Sequence, residues 1–197
     1  AANLVYINNT DASSETVMYG QTRFPVTFDG TTNNNLGFGN NALNNSISGN
    51  ENTSIGVGSM VALSSGSDNT ALGKDAGSAL LSGNNNVIIG KNAGATLSTG
   101  AGNILLGKEA NVSAASAAGS IAIGGSSSAG TNAIAFGKAA TAGDNAIAIG
   151  GNSTALANTI SLAGAATPLT LSSGNNTGTA QLPIMINGTQ YYINIFT

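Results

Sequence analysis

The chain has 197 residues, five Lys or Arg against eight Asp or Glu, and no His, Cys or Trp. Asn (27), Ala (31), Gly (28) and Ser plus Thr (42) fill about two thirds of it. Without His or Cys there is no Ser-His or Cys-His nucleophile pair, no disulfide and no ordinary zinc site, and with a net charge of -3 a nucleic-acid groove has few cations to build from.

The first segment, residues 1–33, holds three apolar runs, Val5–Ile7, Val17–Tyr19 and Phe24–Phe28. It lies outside any repeat and is expected to be a cap or docking segment, since a stacked repeat needs its end covered. The opening lacks the basic and apolar regions of a signal peptide, and no run approaches 18 apolar residues, so no membrane-inserting helix is expected. The chain also lacks an initiator Met, as expected of a processed chain or a piece of a longer one.

Residues 34–163 are organised by a repeat. Gly39, Gly56, Gly73, Gly90, Gly107 and Gly124 stand 17 residues apart, and Gly137 and Gly150 follow at steps of 13. Asn35, Asn52, Asn69, Asn86 and Asn103 precede their glycines by four, while Asn132, Asn145 and Asn158 keep the shorter step. A second glycine row, Gly49, Gly66, Gly83 and Gly100, also steps by 17. Each unit carries a short alternating run such as Val87/Ile89, Ile104/Leu106, Ile121/Ile123, Ile134/Phe136 or Ile147/Ile149. A period of two reads as a strand with one face buried, and these pairs are expected to point inward. One strand per unit at fixed spacing predicts an all-β parallel solenoid, a β-roll of about nine coils. Glycines suit its corners, and the eight asparagines are expected to form side-chain ladders along it.

Three residues past each glycine stands Ala or Ser, from Ala42 to Ser153. Such small residues imply a thin interior and a second strand opposite the first, with the four extra residues of the longer units lengthening one loop. The residue between each apolar pair is also apolar, as in Ile88, Leu105, Ala122, Ala135 and Ala148. A strand apolar on both faces is covered on both. No other segment is long enough to supply that second cover, so a homo-oligomer is expected.

Residues 164–197 read as a C-terminal cap or tip. Leu169–Leu171 is a short strand, and Leu182–Ile186 and Tyr191–Ile195 flank Asn187-Gly188, a strong hairpin turn.

The units in "NAIAFGKAATAGDNAIAIGGNSTA", residues 132–155, resemble the head repeats of trimeric autotransporter adhesins, and the likeness extends over 120–163. The 17-residue units, such as "NTALGKDAGSALLSGNN" at 69–85, look more like bacteriophage tail-fibre and virion-adhesin repeats, and "LPIMINGTQYYINIFT" at 182–197 looks like the short C-terminal caps of phage fibres. The resemblance implies a left-handed coil and a homotrimer. It also implies other virion fibre or baseplate proteins and a host-surface glycan or protein receptor as partners.

Lys74, Lys91, Lys108 and Lys138 each follow a corner glycine. They read as solvated corner charges, with a stripe for acidic sugars as the alternative. Gly102 to Lys108 matches P-loop spacing, but Glu109 stands where Ser or Thr should be and the strand lies between the glycines. The acid pairs Asp68/Asp75 and Asp29/Glu51 sit in no cleft-forming insertion. No catalytic, cofactor or metal residue is therefore expected. Asn187, Gln190, Tyr191 and Tyr192 are the candidate receptor contacts, because an exposed aromatic at a tip can stack on a sugar, and cap packing is the plainer use for the two tyrosines. The expected function is a virion fibre, a phage tail or receptor-binding fibre that attaches to the host surface. A head fragment of an autotransporter adhesin is the second reading. An ice-binding coil is the third, but Val87 and Ile104 break its threonine row at Thr53 and Thr70.

Overall fold

The computed structural model describes residues 33–43 and 47–162 in full, and 26–29, 180–186 and 189–195 as backbone strands. Among the described residues sixteen strands follow in chain order. They are β1 (Val26–Asp29), β2 (Asn35–Phe38), β3 (Thr53–Ile55), β4 (Thr70–Leu72), β5 (Val87–Ile89), β6 (Ile104–Leu106), β7 (Asn111–Val112) and β8 (Ile121–Ile123). Then come β9 (Ser128–Ala129), β10 (Ile134–Phe136), β11 (Thr141–Ala142), β12 (Ile147–Ile149), β13 (Thr154–Ala155), β14 (Ile160–Leu162), β15 (Ala180–Ile186) and β16 (Thr189–Ile195). No helix occurs among the described residues.

The fold is a parallel β-solenoid. A ten-stranded sheet runs β1-β2-β3-β4-β5-β6-β8-β10-β12-β14. Its last nine strands pair in parallel without a register slip: Thr53 lies against Thr70, Thr70 against Val87, and so on to Ile147 against Ile160. β1 pairs with β2 antiparallel and closes the first edge. A four-stranded parallel sheet, β7-β9-β11-β13, forms a second wall, and β15 and β16 form a separate hairpin. The apolar runs Val5–Ile7 and Val17–Tyr19 and the expected strand Leu169–Leu171 lie outside the described residues.

The glycine row holds the coils at strand spacing. Gly56 donates its N–H to the Phe38 carbonyl, Gly73 to Ile55 and Gly90 to Leu72, each at 2.8 Å. Each of these corners has φ between 124° and 140°, a region an L side chain rarely enters. A Cβ on Gly107 would also lie 2.6 Å from the Gly124 oxygen, so neither the backbone angle nor the space admits another residue.

The second strand is confined to the end of the coil. Between Val57 and Leu97 the expected strands are turns instead. There the four extra residues bring in Leu63, Leu80 and Leu97, each fully buried, so they fill a wider interior rather than merely lengthening a loop.

The alternation also faces the other way from the expectation. The middle residue of each strand is the inward one: Ala71, Ile88, Leu105, Ala122, Ala135 and Ala148 are 0% exposed. The pairs around them, including Ile147/Ile149, point outward. The reason is space: a 13-residue coil closes around one small side chain per strand, so alanine goes in and isoleucine stays out. Core volume is shared across neighbouring coils. Where Ser54 and Ala71 are small, Met60 fills the turn opposite. Where Ile88 and Leu105 are large, Gly77 and Gly94 stand there, and a Cβ on Gly94 would meet Ile88 at 3.1 Å and Leu105 at 3.3 Å.

Candidate functional site

Two features organise the coil: a buried amide ladder that fixes its register and an apolar outer face that is partly exposed.

Asn52, Asn69, Asn86 and Asn103 are 0% exposed and Asn35 is 4% exposed. Asn69 donates from Nδ2 to the Asn52 Oδ1 at 3.0 Å and to the Gly83 carbonyl at 2.8 Å. Its own Oδ1 accepts from the backbone N–H and the Nδ2 of Asn86, at 3.1 and 3.0 Å. All four amide positions are thus used, as buried polar groups require. The carbonyls of the second glycine row are the ladder's rails: Gly49, Gly66, Gly83 and Gly100 each accept from one asparagine. The ladder ends at Ser120, whose N–H donates to Asn103 Oδ1 and whose Oγ donates to the Gly130 carbonyl.

Asn132, Asn145 and Asn158 do not continue this ladder. The strand register places Ala133, Ala146 and Thr159 in its column. The three asparagines sit one residue earlier, exposed, with φ of 55°, 55° and 63°. They belong to a left-handed corner column with Asn34, Glu51, Asp68, Asn85, Gly102 and Gly119. Asparagine serves there because it tolerates that backbone region. Their amides touch only loosely, at 3.5 and 3.3 Å.

The outward residues form two columns. Phe38, Ile55, Leu72, Ile89, Leu106, Ile123, Phe136, Ile149 and Leu162 make one unbroken apolar line by register. Beside it run Val87, Ile104, Ile121, Ile134, Ile147 and Ile160, with Thr53 and Thr70 at the earlier rungs. At about 4.8 Å per rung the longer line is ~38 Å long. Phe136 is 51% exposed and Ile149 43%. Lone apolar residues on a surface are ordinary, whereas a contiguous stripe marks an interaction face. These are the apolar pairs expected to point inward, and they lie on the outer face instead. The signal that separates the two faces is the run of alanines at the inner position of β8, β10 and β12.

The charged corners are mostly paired or solvated. Lys74 lies 3.7 Å from Asp75, and Lys108 lies 3.3 Å from Glu109. The hydrogen bond and charge of Lys108, with a hydrogen bond from Ser126, hold the Glu109 carboxyl below its ordinary value. Asp68, Asp75, Glu51 and Glu109 all have positive φ, so corner geometry accounts for their positions. Gln190, Tyr191 and Tyr192 lie on β16, opposite Met185, Ile184 and Pro183, and Asn187 lies outside the described residues. No helix among the described residues is long and apolar enough to cross a membrane.

Searches of protein-family models, of curated proteins and of solved structures find no match to this chain.

Proposed function

We propose that the chain is the protomer of a structural and adhesive fibre. Three copies pack their outward apolar columns together as a rod, and the rod attaches a virion to a host cell surface. The observation that carries the self-association is the unbroken line from Phe38 to Leu162, apolar at every rung and partly exposed. A second copy of the same coil matches it in length and spacing, and burying it removes apolar surface from water at about 25 cal/mol per Å². The amide ladder and glycine corners suit a stiff spacer, since every buried asparagine bonds to the next coil. The likeness of the 17-residue units to phage fibre repeats supports the virion setting, and a host glycan or protein would be the receptor.

The 13-residue coils from β8 to β14 favour a second reading, the head of a bacterial trimeric autotransporter adhesin. A full-length gene with a downstream coiled coil and membrane barrel would select it. Light scattering tests the shared core of both readings. A mass near three times 19.1 kDa is expected, and a stable monomer at micromolar concentration would reject it. Binding to host cells or to a glycan array then tests adhesion.

A further inference from the structure

The outward apolar line has two rims of opposite charge. At the corner just past the strands stand Lys74, Lys91, Lys108 and Lys138, all exposed. At the corner just before the strands stand Glu51, Asp68 and Asp144, also exposed. Asp75 and Glu109 lie on the basic rim, but each sits beside the lysine of its own coil, at 3.7 and 3.3 Å. Glu51, Asp68 and Asp144 have no ion-pair partner in their own chain among the described residues. Asp68 and Lys74 flank β4 on opposite sides, separated by about 20 Å of extended chain, so they cannot meet within one copy.

Two copies can lay this face together in two senses. Nine rungs run from Phe38 to Leu162. In an antiparallel pair with full overlap the first rung faces the ninth, and each rim meets itself. Lys108, on the fifth rung, would face Lys108 of the other copy. Lys74, on the third, would face Lys138 on the seventh, and Glu51, on the second, would face Asp144 on the eighth. Each of these meetings is between like charges. In a parallel, in-register packing the basic rim of one copy runs along the acidic rim of the next. Asp68 and Lys74 then share the third rung. Asp144 and Lys138 lie on adjacent rungs, about 4.8 Å apart along the axis, which a lysine side chain spans.

A closed ring of three repeats this contact, each copy offering its basic rim to one neighbour and its acidic rim to the other. Single exposed ion pairs add little affinity. Opposite charges along an apolar seam, against like charges in the alternative, act on which arrangement forms.

We infer that copies of this chain pack parallel and in register, with Asp68 against Lys74 and Asp144 against Lys138 across each seam. This arrangement rests on the self-association proposed above and adds its direction, its register and its pairing residues. Carbodiimide coupling of the full chain tests it, because the reagent joins a carboxylate to a lysine amine only where the two touch. Ordinary and isotope-labelled chains would be folded together, coupled and digested. Links between chains from Asp68 to Lys74 and from Asp144 to Lys138 are expected, and the link from Glu109 to Lys108 within a chain is the internal control. An assembled protein with neither link between chains overturns the orientation alone. A chain that light scattering finds monomeric overturns the self-association and the orientation with it.

Lys74→Gln and Lys108→Gln give the second measure, since each removes one pair within its own chain and they differ across the seam. In a urea series followed by sedimentation at one protein concentration, Lys74→Gln should weaken trimer association about tenfold, three seam pairs being lost at once. Lys108→Gln should match the parent. An antiparallel seam gives the opposite sign, because both substitutions would then relieve a contact between lysines. Tighter association in either variant, or no difference between the two, overturns the inference.

Discussion

The amide ladder predicts a sharp difference between asparagines that look alike in the repeat. Asn69→Ala removes a fully buried side chain that makes four side-chain bonds. The Gly83 carbonyl, the Asn86 N–H and one hydrogen of Asn86 Nδ2 lose their partners. The other hydrogen of Asn86 Nδ2 is held by the Gly100 carbonyl at 3.0 Å and cannot help. At about 1–3 kcal/mol for each orphaned buried group, reduced where a water can enter the polar hole, the expected loss is about 3–5 kcal/mol. Asn145→Ala is the control. It is exposed, its amide contact is 3.3 Å, and its cost is the left-handed backbone, about 1–2 kcal/mol. Denaturant unfolding at one fixed protomer concentration measures both, because self-association makes stability concentration-dependent. Asn69→Asp sharpens the test. Its second oxygen would face the Asn52 Oδ1 and the Gly83 carbonyl, both acceptors, so the protonated acid is favoured when folded. The folded pKa is then raised above the unfolded one. The stability of this variant relative to the parent is greatest below the unfolded value of ~3.9 and falls as pH rises through the folded value. Equal losses for Asn69→Ala and Asn145→Ala, or an Asn69→Asp difference that does not change with pH, would refute the ladder as the source of register.

Four further outcomes follow from the same geometry. Gly107→Ala places a Cβ 2.6 Å from the Gly124 oxygen at a φ of 140°, and clash and backbone strain together should cost about 3–4 kcal/mol. Gly125→Ala, whose nearest neighbour would be 3.8 Å away, should melt within a degree or two of the parent. Ser59 carries a buried Oγ without a partner, so Ser59→Ala should raise stability by about 1 kcal/mol in the same denaturant series. Leu106→Asp and Phe136→Asp sit on the outward line; they should leave the circular dichroism of the coil intact and shift sedimentation from assembly to monomer, and an unchanged sedimentation profile would remove the outward line from the interface.

The coil itself is legible because its glycines have no substitute. A residue that must adopt a φ near 135° under a neighbouring carbonyl can only be glycine, so the backbone geometry is written into the residue type at every step of 17 or 13. The facing of the strands is not legible in that way. Ile147, Ala148 and Ile149 are all apolar, and period two says that Ala148 is opposite the others without saying which side is inside. Only the interior's width decides, and width depends on the whole coil. The asparagines hid two roles behind one letter. Asn103 is a buried ladder member and Asn132 is an exposed left-handed corner, and their offsets from the next glycine, four and five, are the single sign of the change. The candidate face was present as residues and inverted as a location. Its composition could suggest self-association from either side, which is why that expectation does not depend on the facing.

The switch from 17 to 13 residues is a change in how one carbonyl row is satisfied. In the wide coils the second glycine row lies across an interior that also holds Leu63, Leu80 and Leu97, and the asparagine amide spans the gap, as from Asn52 Nδ2 to the Gly66 oxygen at 2.8 Å. In the narrow coils the four residues carrying those leucines are gone and the walls are closer. The corresponding carbonyls of Gly130 and Gly143 accept from the N–H three residues on, Ala133 at 3.3 Å and Ala146 at 3.1 Å. Ala133 and Ala146 are buried, so an asparagine at 133 or 146 would have no room for its longer side chain, and alanine stands at both positions. Ser120 is the joint, bonding the last asparagine by its N–H and the first narrow-coil carbonyl by its Oγ. Loop length, ladder residue and core leucine are therefore one choice made three times. Shortening a wide coil by four residues while keeping its asparagine should fail to fold, and the same deletion with Asn86→Ala should recover part of the stability. Equal stability of the two deletions in denaturant would show that the ladder and the coil width are separable.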